Sequence, residues 1–138
     1  MMAVRASMGD LIHRMRVLIN DPVGATAVLS DQSIQDALDE HRTDVRYEML
    51  QPAETPVPGG GTVTLDYYSP RGNWEADEVL RNGQSEIVTP LDANRLVGHW
   101  TFGADTPAPV YVTGKVYDVY AAAADLLETR LRGDDPLV

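Results

Sequence analysis

Residues 109–133, PVYVTGKVYDVYAAAADLLETRLRG, constrain the fold more than any other stretch: a short strand, a Thr-Gly break, then a helix with four consecutive alanines. Four alanines in a row leave little side-chain bulk on any face, so another helix or another subunit can approach the backbone closely. This is a packing element, not a catalytic one. Its expected start is near Thr113 or Gly114, its buried stripe Val116, Val119, Tyr120, Ala123, Leu126, Leu127 and Leu131, and its end Gly133 before Asp134-Asp135-Pro136. Arg130 and Arg132 complement the negative end of the helix dipole. Subunit packing is assigned to Ala121, Ala122, Ala123 and Ala124, with Ala123 and Ala124 the least tolerant of a larger side chain.

The remaining elements follow from periodicity. Ser7 and Asp10 form a variant capping box before Leu11, Ile12, Met15, Leu18 and Ile19, which predicts a first helix over 10–19 ended by Asn20-Asp21-Pro22. Ser30 or Asp31 caps a second helix whose stripe, Ile34, Ala37, Leu38, His41, Val45 and Met49, predicts an end near Met49 or Leu50. Its other face carries Asp36, Asp39, Glu40 and Asp44, an acidic surface expected to face solvent or a channel that excludes anions.

QPAETPVPGGG, 51–61, holds three prolines and three glycines and reads as a flexible passage. Alternation over 62–68 predicts a strand, Asn82-Gly83 predicts a two-residue hairpin turn, and RLVGHWTF puts Leu96, Trp100 and Phe102 on one strand face with a bulge at Gly98. The predicted fold class is α+β: a small bundle of about three helices, over 7–50 and 113–133, with one antiparallel sheet over about 62–112 inserted between helices two and three. A length of 138 residues fits one domain spanning 1–138.

A net charge of -10, from 21 acidic and 11 basic residues, argues against tight wrapping of nucleic acid, which needs clustered Lys and Arg. Zero cysteines remove disulfides, thiolate nucleophiles and Cys-type zinc sites. No apolar run is long enough to span a membrane, and MMAVRASMGDLIHR lacks the apolar core of a signal peptide, so a cytosolic origin is expected.

His13, His41 and His99 sit in different predicted elements without metal-ligand spacing. Glu75, Asp77 and Glu78 read as solvated strand positions before they read as glycosidase acids, since Trp74 and Trp100 are the only tryptophans available for a sugar cleft. Gly59-Gly60-Gly61 lacks the Lys-Ser/Thr of a phosphate loop, and no GxSxG exists. No catalytic residue, cofactor or metal is therefore assigned.

Three features together resemble the head-to-tail connector (adaptor or head-completion) proteins of long-tailed bacteriophages. They are the opening LIHRMRVLINDPVGATAVLSDQSIQDALDEHR, with Asp31, Ile34, Leu38 and Asp39 in the pattern of the capped second helix, the strand region with its Asn-Gly hairpin and GHWTF, and YDVYAAAADLLE. The resemblance spans nearly the whole chain, though only RGDDPLV follows the Ala-rich helix where many members carry a longer arm. It implies a non-enzymatic virion protein of the neck, made in the host cytoplasm, that forms a ring of most often twelve copies between the portal and the next neck or tail-joining protein. DNA would pass through that ring without specific binding, and no membrane is involved. Partner contacts are expected in the loops at Asn82, Gly83, Asp105 and Thr106. A small acidic hydrolase using Asp or Glu with His99 near Trp100, or an acidic binding module such as an immunity protein, are the alternatives.

Overall fold

The computed structural model describes residues 4–21 and 29–132, with side chains through Thr129. The chain divides into two compact units, residues 1–43 with 117–138, and residues 44–116.

The first unit is helical. A short 3-10 turn, Ala6–Met8, leads into α1, Gly9–Ile19, whose N-terminus carries no side-chain cap, in place of the predicted capping box. Asn20 ends α1 in the left-handed conformation (φ 55°), which an Asn tolerates better than most residues. The predicted stop at Pro22 lies outside the described residues. Helix α2, Asp31–Asp39, is capped by Ser30, whose Oγ accepts the Ser33 amide at 3.1 Å. Helix α3, Val119–Arg132, starts at Asp118, whose carboxylate accepts the Ala121 amide at 3.0 Å. The Gly133 stop and the side chains of Arg130, Leu131 and Arg132 fall outside what is described. Met8, Leu11, Met15, Ile34, Leu38, Val119 and Ala122 form the fully buried centre of this unit.

Alanines 121–124 serve this internal core unequally. Ala122 and Ala123 are buried, Ala121 is half-buried and Ala124 is exposed, because a helix turns each successive side chain by about 100°. The predicted ranking is thereby corrected: Ala122→Leu is expected to cost roughly 1–3 kcal/mol by overpacking, and Ala124→Leu less than about 0.5 kcal/mol. Urea denaturation of both variants checks this, and equal midpoints would refute it.

The second unit is built of strands. They are β1 (Arg42–Met49), β2 (Gln51–Pro56), β3 (Thr62–Tyr68), β4 (Val79–Asn82), β5 (Ile87–Val88), β6 (Asp92–Asn94), β7 (His99–Thr101) and β8 (Val110–Tyr117). Two four-stranded sheets result, in the orders β1-β8-β4-β5 and β2-β3-β7-β6. This overturns the predicted fold class, a helical bundle carrying one inserted sheet. Strands run from Arg42 to Tyr117, more than half the chain, and the sheets enclose a core of their own. Val45, Leu80, Val110 and Val112 from one sheet and Tyr67 and Trp100 from the other share that core with Leu50, Trp74 and Phe102. Trp74 and Trp100 meet edge to face at 5.5 Å.

Three boundaries moved for identifiable reasons. Helix two was predicted to reach Met49, but α2 ends at Asp39 and residues 42–49 form β1. His41, Val45 and Met49 are four apart, a spacing that suits a strand face as well as a helix face, and pairing with β8 chose the strand. Tyr47 (φ 48°) then interrupts the alternation, so that Val45 and Leu50 are both buried. Residues 51–56, predicted as linker, form β2, with β3 as its one strand neighbour. An edge strand tolerates Pro52 and Pro56 because their missing amides are not needed on the open side. The three glycines, with φ between 84° and 100°, make the β2–β3 turn. The strand predicted over 110–112 continues as β8 through Thr113 and Gly114 to Tyr117, where helix three was predicted to begin. At Gly114 a Cβ would come within 3.0 Å of the Glu78 Cβ, so the bare backbone lets β4 lie close.

Candidate functional site

The Asn82-Gly83 signal forms a hairpin, with a longer loop than predicted. Asn82 is the last residue of β4, the loop is 83–86, and Ser85 takes the positive φ (63°). Asn82 Oδ1 accepts the Gln84 and Glu86 amides at 2.9 and 3.0 Å, which shapes the loop without help from packing. Residues 103–109 are held just as firmly from the other sheet. Asp105 Oδ1 accepts the Thr64 amide at 2.7 Å, the Thr106 amide donates to the Thr64 carbonyl at 2.9 Å, and the buried Tyr67 hydroxyl donates to the Thr106 carbonyl. Burial, and after it the Asp105 carboxylate, pushes the Tyr67 phenol above its ordinary value.

The two loops meet. Asn82, Gly83, Asp105 and Thr106, four residues from two predicted contact loops, line one hollow of about 430 Å³ together with Gln84, Val88 and the Pro107–Pro109 turn. At Gly83 a Cβ would stand 3.2 Å from the Pro109 ring, which marks how closely the loops approach. Its lining has amide and hydroxyl groups, two proline rings and one carboxylate, a surface suited to holding a peptide and poor in groups that could activate a nucleophile.

The four carboxylates predicted to share a helix face do not form one. Asp36 and Glu40 are exposed at the end of α2. Asp39 is half-buried and paired with Arg5 at 2.7 Å, and Asp44 lies exposed on β1, because α2 stops before it.

Three polar clusters were not predicted. Asp66 Oδ1 meets both His99 Nε2 and Thr101 Oγ1 at 2.9 Å on the outer face of β3 and β7, with His99 stacked on Tyr68 at 4.3 Å. The His99 contact first, and the Thr101 hydroxyl second, hold the Asp66 carboxyl below its usual value. A hydrolytic relay needs one imidazole nitrogen on the acid and the other on the nucleophile. Here Thr101 Oγ1 lies 3.3 Å from the same Nε2 that meets Asp66, and Trp100 faces the core, so this cluster is not the relay of the hydrolase alternative. The second cluster joins Arg16, Asp21, Leu29 and Asp31, and the third joins Glu78, Arg95 and Trp100. An alternation count could have shown that Asp66, His99 and Thr101 share a face; the other two depend on contacts between residues distant in sequence.

Among the described residues no group of three His, Asp or Glu is placed to hold a metal ion, and no helix is long and apolar enough to cross a membrane. No family model, curated protein or solved structure matches the chain.

Proposed function

We propose that this chain is a structural connector of a phage neck, assembled as a ring, most often of twelve copies, between the portal and the next neck or tail-joining protein. The observation that carries this reading is the convergence of Asn82, Gly83, Asp105 and Thr106 on one hollow, built by short loops on a sheet scaffold. Loops pinned in this way present a defined surface to a partner while the core beneath stays unchanged. The charge of -10 suits the same role, since an acidic bore lets DNA pass without adhering. Of the four alanines, Ala122 and Ala123 fill the chain's own core, which leaves Ala121 and Ala124 accessible for a subunit contact.

Imaging of virion necks tests the proposal: a closed ring of this chain next to the portal is expected, and a single copy or its absence overturns it. Within that experiment Gln84→Trp, placed at the exposed hollow, is expected to leave the chain folded and stop tail joining. Unchanged yields of tailed particles would remove the hollow from the contact.

A further inference from the structure

Asn82 is followed by Gly83, and the turn they build sets the Asn82 carboxamide against the peptide bond that follows it. Oδ1 accepts the Gln84 amide at 2.9 Å and the Glu86 amide at 3.0 Å. The first of these bonds closes a ring through Cγ, Cβ, Cα and the 82–83 peptide, an Asx-turn, so the side chain is folded back over that peptide instead of standing away from it. Nδ2 donates to Glu86 Oε1 at 3.2 Å. The Gly83 amide has no acceptor among the described residues, and Gly83 is exposed, so solvent reaches its N–H.

These are the parts of an intramolecular acyl transfer. A nucleophile held next to a carbonyl carbon reacts far faster than the same groups free in solution. The two N–H donors on Oδ1 draw charge from Cγ and stand where the oxyanion of a tetrahedral intermediate would form. Gly83 brings no Cβ to crowd the closing ring. By contrast, Asn20, Asn73 and Asn94 precede Asp21, Trp74 and Arg95, each with a side chain in the way, and Asn73 Oδ1 has no donor.

We propose that Asn82-Gly83 is a self-modification site, at which the chain converts Asn82 to a succinimide and then, with one water, to aspartate or isoaspartate. Hydroxide takes the Gly83 amide proton and the nitrogen bonds to Cγ. The Cγ–Nδ2 bond then breaks as Nδ2 takes a proton from water and leaves as ammonia. Water adds to one imide carbonyl: cleavage at Cγ gives aspartate, and cleavage at the main-chain carbonyl gives isoaspartate, whose backbone runs through Cβ and Cγ. Either product sets a carboxylate where an amide donor faced Glu86, and the hollow lined by Asn82, Gly83 and Asp105 gains a negative charge. The step uses only groups within residues 82–86 and holds whether or not the chain is a connector.

The intact chain is incubated in mildly alkaline buffer, sampled over time, digested and read by mass spectrometry, with isoaspartate counted by its specific methyltransferase. Loss of ammonia at Asn82 is expected first and the acid after it, at a rate that rises in proportion to hydroxide, while Asn20, Asn73 and Asn94 stay amides. Gly83→Ala is expected to slow the step about tenfold, because a Cβ holds the amide nitrogen off the carbonyl carbon. The same chain in urea is the reference. Conversion in urea with none in the folded chain would show that the bonds to Oδ1 hold the carboxamide away from attack, and overturns the proposal. Conversion of all the asparagines at equal rates, or an unchanged rate in Gly83→Ala, overturns it as well.

Discussion

Replacing Arg16 with Ala is expected to lower the unfolding free energy by roughly 3–5 kcal/mol, the usual cost of removing one partner from a buried ion pair. Arg16 is 6 % exposed and Asp21 1 %. Nη1 donates to the Asp21 carboxylate and to its carbonyl, each at 3.2 Å, while Nη2 donates to the Leu29 carbonyl at 3.1 Å and to Asp31. The Asp21 carboxylate in turn accepts the Leu29 amide at 2.9 Å. One guanidinium therefore ties the end of α1 to the start of α2, and without it a carboxylate stays buried beside two carbonyl groups that have lost their donor. Asp21→Asn on top of Arg16→Ala is expected to restore part of the loss, since the amide is neutral. Urea denaturation of the single and double variants measures both. A loss under about 1 kcal/mol would mean that the cluster behaves like an exposed surface pair.

Gly98→Ala is the second large effect, expected at roughly 2–4 kcal/mol from a left-handed backbone and a steric clash together. Gly98 has φ 74°, and a Cβ there would stand 2.3 Å from the Arg71 carbonyl oxygen, a backbone atom fixed by the Trp74 indole that donates to it. The Gly98 carbonyl accepts the Ser69 amide at 2.8 Å and its amide donates to Asn94 at 3.0 Å, so neither side can retreat without breaking a bond. The change should reach the Trp74–Trp100 pair and alter the near-ultraviolet circular dichroism. Gly103→Ala, where a Cβ would find nothing nearer than 3.8 Å, is the control and should stay within about 0.5 kcal/mol. Equal stability of the two variants would refute the argument.

The parts legible in the residues were those set by local chemistry. Ser30 caps α2, Asn82 starts a hairpin turn, and the alternation of 62–68 made a strand, each through groups a few residues apart. Trp100 and Phe102 fell on the buried face their even spacing implied, while Leu96 stayed 37 % exposed ahead of the start of β7. The contact loops were chosen as turns flanking strands. That choice carried no information about their meeting, which depends on β4 and β8 pairing across residues 79–82 and 110–113.

Sequence by itself determined the acidity of the chain, the presence of helices within 10–19, 31–39 and 119–132, and the Asn82 turn, because charge, caps and turn residues act over one turn of chain. Tertiary structure alone decided that 42–49 is a strand, that the prolines of 51–56 lie on an edge, and that there are two sheets with a shared core. It also decided which alanines are buried and which acids meet Arg16, His99 or Arg95. The physical reason is common to all of these. A spacing of four satisfies both helix and strand, and the buried polar groups are satisfied only by residues that the completed ladder and core bring within about 3 Å.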